Sequence, residues 1–142
     1  MMSYTVMGDA VNLASRLEAA NKEYGTRSLV SESAIATAGG SVEVREIDRL
    51  IVFGQTRPQA VFEILGRPGA LTPTQTALRK HYAHGLAAYR AQHWDEARKA
   101  FAAALDIAVD DGPSLTLLKR IDAFEHHPPP ANWDGSWAME HK

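Results

Sequence analysis

Asn12 and Arg16 are the two side chains in this 142-residue sequence best spaced to act together. Four residues apart in a helical run, they leave one face of the helix and can converge on a single ligand. A guanidinium stays charged, and its planar fork holds two oxygens of a phosphate at once. The positions three and four away from Arg16 are Asn12, Leu13, Ala19 and Ala20, so no carboxylate on that face satisfies it locally and an external partner is a candidate. The ordinary alternative is a first-turn amide beside a solvated charge. Thr5 carries a hydroxyl that both donates and accepts, although threonine is also common in strands for its β-branched shape. His81 and His84 stand at a helical spacing compatible with metal ligation, and His126 and His127 are adjacent. With no carboxylate at ligand spacing, packing or solvent exposure is the preferred reading for all four.

The elements that would position these residues follow from periodicity and turn chemistry. Tyr4 to Met7 reads as a short strand and Asp9 as an N-cap. Val11, Ala14, Leu17 and Ala20 then recur at helical spacing until Tyr24 and Gly25 end the run. Ser28 to Val30 suits a strand, and Ser31 caps a brief helix through Ala38, broken by Gly39 and Gly40. Val42 to Val52 and Ala60 to Leu65 read as the arms of a hairpin, joined through Gly54 to Pro58. Turn formers then cluster from Gly66 to Pro73, and helical stretches follow at Thr74 to Ala91, Trp94 to Ala108 and Pro113 to Phe124. Gly85, Tyr89, Trp94, Ala97, Phe101 and Ala104 are spaced as in one tetratricopeptide-type hairpin. A single such unit buries its face poorly and is expected to lean on something else. The end, with three prolines, Trp133 and Trp137, suits an extended segment followed by one docked turn, the tryptophans packing on the chain's own helices.

Composition excludes several function classes. The sequence is 45% hydrophobic and 23% charged with a formal net charge of -2, so it lacks the basic excess of a nucleic-acid binder. It has no cysteine, which rules out disulfides and thiolate metal sites. No apolar run reaches the roughly 18 residues of a membrane span, and the first residues do not form a signal peptide, making a cytoplasmic location the default. A start in strand-like residues reads as a start inside a domain.

The run YTVMGDAVNLASRLEAANKEYGT, residues 4 to 26, closely resembles the signature strand, turn and helix of class III adenylyl and guanylyl cyclases, and the resemblance continues through the hairpin to VFEILGR. It implies an α+β fold, a partial ferredoxin-like cyclase domain over residues 1–66. A linker over 67–73, a tetratricopeptide-like helical extension over 74–125 and a tail over 126–142 complete the expected organisation. In this family the asparagine matching Asn12 orients the ribose, and the arginine matching Arg16 stabilises the phosphate in the transition state. Thr5 stands where the purine edge is read, a threonine in one bacterial subgroup, which leans toward ATP over GTP. The resemblance also implies Mg or Mn, held by aspartates of an amino-terminal half that this chain lacks, and a second catalytic domain forming a homodimer. Asp9 belongs to the turn and not to that metal pair. Phe53 stands where the family often has a phosphate-binding lysine and offers no charge to a departing pyrophosphate. The isolated chain is expected to be inactive, and its incomplete sheet to leave an edge that associates. The alternative reading is a non-catalytic interaction module, or a brace for the catalytic dimer, built on the helical extension.

Overall fold

The computed structural model describes residues 17–38, 42–52 and 54–139. Its elements, in order, are α1 (residues 17–24), β1 (Leu29–Ser31), α2 (Glu32–Ala38), β2 (Glu43–Ile51) and β3 (Gln59–Gly66). They continue with α3 (Pro73–Arg90), α4 (Trp94–Ile107), α5 (Gly112–His126) and β4 (Ser136–Ala138). The mixed α+β class is as expected from the sequence.

The four strands form one sheet in the order β1-β3-β2-β4. The hairpin β2–β3 is antiparallel, β1 adds antiparallel to β3, and the tail strand β4 adds parallel to β2. The sequence reading gave this tail a docked turn. The structure gives it a strand instead, because Asp134 and Gly135 (φ 85) turn the chain so that Ser136 to Ala138 can pair with Arg49 to Ile51. The Met139 amide continues the pairing with a 2.9 Å bond to the Ile51 carbonyl.

Local sequence sets the ends of the elements. Gly25 takes a left-handed φ of 67° after α1, and the Thr26 amide returns to the Asn21 carbonyl at 2.9 Å, closing the helix as glycine caps do. The buried Asn21 side chain then accepts from Thr26 Oγ1 and the Leu29 amide, fixing the step from α1 into β1. Helix α3 starts on a complete capping box, Thr72 with Gln75, and has Pro73 in its first turn, an arrangement worth about 1 kcal/mol.

One core serves sheet and helices together. Ala20, Tyr24, Ile47, Leu50, Val52 and Val61 cluster with Tyr82, Leu86, Tyr89, Phe101, Leu117 and Ile121. The α3–α4 pair, which the sequence leaves with an uncovered face, therefore leans on the sheet and on α5. Gly85 lets the two helices close, since a Cβ there would stand 2.6 Å from the Phe101 ring. Tyr82 crosses to the sheet and donates to the Ile47 carbonyl at 2.7 Å. Trp133 of the tail packs with Tyr89, Trp94 and Phe124, ring centroids 5.2–6.4 Å apart.

Candidate functional site

Thr5, Asn12 and Arg16 lie outside the described residues, as do Asp9 and Phe53. What the structure does describe is how the helix following Arg16 in the chain is held, and that is the work of buried charge.

The decisive local feature is a bulge in β2. Glu46 pairs with Phe62 and Asp48 with Val61, so Ile47 is one extra residue on its strand. Alternation along a strand would send Ile47 inward and Asp48 outward, but the bulge resets the period and both are fully buried. Asp48 is thereby aimed into the core. Its Oδ2 accepts from the Tyr24 hydroxyl at 2.6 Å and from Arg120 Nη1, while its Oδ1 accepts from the Arg49 amide at 2.8 Å. Arg120, from α5, also donates through Nη2 to Tyr24 Oη at 3.0 Å and to Glu23 Oε1 at 3.2 Å. Its guanidinium lies over the Trp137 ring at 4.1 Å.

A second ionic group sits nearby on the same strand. Arg45 reaches Asp111 with both terminal nitrogens, at 3.0 and 3.1 Å, and Glu63 at 2.7 Å, with the Tyr82 ring 4.9 Å from its guanidinium carbon. Burial, then the charge of Asp48, pushes both Tyr24 and Tyr82 well above the ordinary phenol range, so both hydroxyls remain protonated donors. Tyr89 is pushed up to about 12 by the same two causes. Its hydroxyl is buried without a hydrogen-bond partner.

Chemically this arrangement is closed. The carboxylates that come together, Asp48, Asp111, Glu63 and Glu23, are each taken by an arginine, and Glu46 is taken by Arg90 at 2.8 Å. Among the described residues no group of three or more metal-ligating side chains could hold an ion, so they do not fit the Mg or Mn that the family resemblance implies. His84, His126 and His127 are exposed, with His84 3.8 Å from Glu96, His126 Nδ1 2.9 Å from the Asp122 carbonyl and His127 just after the last turn of α5, while His81 is half-buried on α3. Among the described residues, no helix is long and apolar enough to cross a membrane.

Sequence reasoning missed Asp48, Arg120, Arg45 and Asp111. The available signal was the broken alternation at Glu46, Ile47 and Asp48.

The chain is 29% identical over 123 residues to the terminal-differentiation specific adenylate cyclase of Dictyostelium discoideum, a match covering 84% of this chain and 6% of that protein. It is 36% identical over 74 residues to adenylate cyclase 1 of Rhizobium meliloti (strain 1021), covering 52% of this chain and 11% of the relative. Identity to an adenylate cyclase of Anabaena cylindrica is 38% over 63 residues, 42% of this chain and 12% of the relative. The chain is similar to parts of three adenylate cyclases. It spans 6–12% of the length of these cyclases. The Dictyostelium match is too long to be held within residues 1–66, where the signature resemblance lies, and runs on through α3 and α4. No family model and no solved structure matches the chain.

Proposed function

We propose that this chain is the part of an adenylate cyclase that orients ATP and stabilises its transition state, with the helical extension bracing that part. In this reading the ribose 3'-oxygen attacks the α-phosphorus of ATP and gives its proton to water. The bond to the bridging oxygen breaks, releasing cyclic AMP and pyrophosphate. Asn12 orients the ribose, and Arg16 holds the α-phosphate oxygens as charge builds on them, an electrostatic role that counts most when the donor is fixed beforehand. Thr5 contacts the adenine edge. A metal-bearing catalytic half would hold the Mg or Mn, which would supply charge to the triphosphate, and a second catalytic domain in a homodimer would complete the site.

The observation that carries this reading is the similarity to three adenylate cyclases, one match extending across both the sheet and the helices. The test supplies the chain with a metal-bearing catalytic half, ATP and Mg or Mn, and measures cyclic AMP. We expect turnover from the combined protein, none from the chain alone, and a loss of about 10²- to 10³-fold in kcat on Arg16→Ala. Full activity in that variant would refute the role given to Arg16. Absence of turnover in the combined wild-type protein would favour the non-catalytic reading, for which the uncharged Phe53 is the motive.

A further inference from the structure

Helix α5 runs along the end of α1 on a single row of residues four apart. Gly112 lies so close to the backbone of Tyr24 and Gly25 that a Cβ would collide with the Tyr24 carbonyl oxygen and stand 3.1 Å from the Gly25 Cα. One turn on, Thr116 Oγ1 donates to the Glu23 carbonyl at 3.1 Å. One turn further, Arg120 reaches the Glu23 carboxylate, the Tyr24 hydroxyl and Asp48. The spacing of 112, 116 and 120 is that of one helical face, and all three positions meet the same two residues of α1 or the glycine after them.

Stability alone does not account for an arginine at the end of this row. Burying a guanidinium and a carboxylate costs desolvation that their attraction repays only in good geometry, and apolar side chains of similar volume often stabilise as well or better. What the arginine adds is direction. Its planar fork fixes α1 against β2 through Asp48, while its face lies on Trp137 of β4, so three elements distant in sequence are registered on one side chain.

The geometry points to Arg120 as a positioning residue: from α5 it fixes the end of α1, the helix that follows Asn12 and Arg16 in the sequence, and that anchor is needed for turnover of ATP. The inference rests on the cyclase reading above. It makes the helical extension a part of the catalytic apparatus, since Tyr24 follows Arg16 by two helical turns in a run that the sequence reads as one helix from Val11.

Two measurements decide it. Hydrogen exchange on the full 142-residue chain compares wild type with Arg120→Met, and with Arg120→Lys, which keeps a charge beside Asp48 but loses the fork. We expect amides 17–24 to exchange at least tenfold faster in Arg120→Met, those of α3 and α4 to change much less, and Arg120→Lys to fall between. If Arg120→Met does not fold, Arg120→Lys carries the comparison. Steady-state kinetics of the chain combined with a metal-bearing half should then show kcat reduced about ten- to a hundredfold with KM for ATP changed less than threefold, because misplaced groups lose the transition state more than the ground state. Unchanged exchange in α1, or unchanged kcat despite faster exchange, overturns the proposal. If the combined wild-type protein makes no cyclic AMP, the cyclase reading fails by itself. Exchange then decides whether Arg120 anchors α1, and uniform loosening of all helices would reject that too.

Discussion

Arg45 and Asp111 meet as a two-pronged pair, 66 residues apart in sequence, with the guanidinium nitrogens 3.0 and 3.1 Å from the two carboxylate oxygens. Both are buried. Asp111 is also the N-cap of α5, taking the Ser114 amide at 3.3 Å and the Ser114 hydroxyl at 2.6 Å. One carboxylate thus starts a helix and attaches it to the middle of the sheet, so the helix cannot form in this place without also docking.

Replacing Asp111 separates those two tasks. Asp111→Asn keeps an acceptor for the helix amide but removes the charge, and Asp111→Ala removes both and leaves Arg45 buried with Glu63 alone. Breaking a buried pair from one side costs about 3–5 kcal/mol, and a lost cap adds roughly 1 kcal/mol. Urea unfolding should place Asp111→Ala below Asp111→Asn, and both below wild type. Equal midpoints for the two variants would show that the cap contributes nothing.

Alkaline pH should loosen the same core through its tyrosines. Tyr89 has a folded pKa of about 12 against an unfolded value of 10.0, and Tyr24 and Tyr82 shift in the same direction. A phenol with a raised folded pKa holds its proton longer in the native state, so its contribution is fully present below pH 10. That contribution is lost as pH rises from 10 toward 12. Two pKa units at Tyr89 correspond to about 2–3 kcal/mol. Unfolding midpoints measured on either side of pH 10 should fall on the alkaline side, with phenolate absorbance in the native protein lagging that of the unfolded chain. Coincident titrations of the two states would contradict the burial described here.

Three glycines make a graded test of close approach. At Gly66 an added Cβ meets nothing within 4 Å, so Gly66→Ala should be neutral or slightly stabilising. At Gly85 it would stand 2.6, 2.7 and 2.9 Å from atoms of the buried Phe101 ring, and overpacking of this kind costs about 1–3 kcal/mol. At Gly112 the obstacle is the backbone of Tyr24 and Gly25, which cannot swing aside as a side chain can, so Gly112→Ala should be the worst of the three. Thermal unfolding of the three variants should rank them in that order.

Periodicity made the helices and the hairpin legible, because each has its own capping or turn residues and a clear apolar face. The three long helices begin and end within two residues of where the spacing puts them. The charged core was not legible, and the reason is physical. Asp48 is buried by a bulge, a register event between two strands at which the broken alternation along β2 only hints, and Arg120 is buried only once the sheet lies beneath α5. The tail strand was hidden for a related reason: Ser136 to Ala138 is too short to declare itself and pairs only because β2 presents an edge. The roles expected of Thr5, Asn12 and Arg16 came from resemblance alone, not from spacing or periodicity.

Composition alone draws a boundary near Gly66, but the packing argues that the helices depend on the sheet. A shortened chain beginning at Thr72 keeps α3, α4 and α5 yet removes Asp48, Tyr24 and Glu23 from Arg120, and the Ile47 carbonyl from Tyr82. It also removes β2, the strand on which β4 forms. An arginine stripped of its partners must be rehydrated, and the apolar face formed by Leu86, Tyr89, Leu117 and Ile121 loses the sheet side of its cluster. We expect the shortened chain to show weak helical circular dichroism and no cooperative thermal transition, while the full chain unfolds in one step. A cooperative transition in the shortened chain, with helix content undiminished per residue, would show that residues 72–139 fold by themselves and that the buried charges are an attachment, not a requirement.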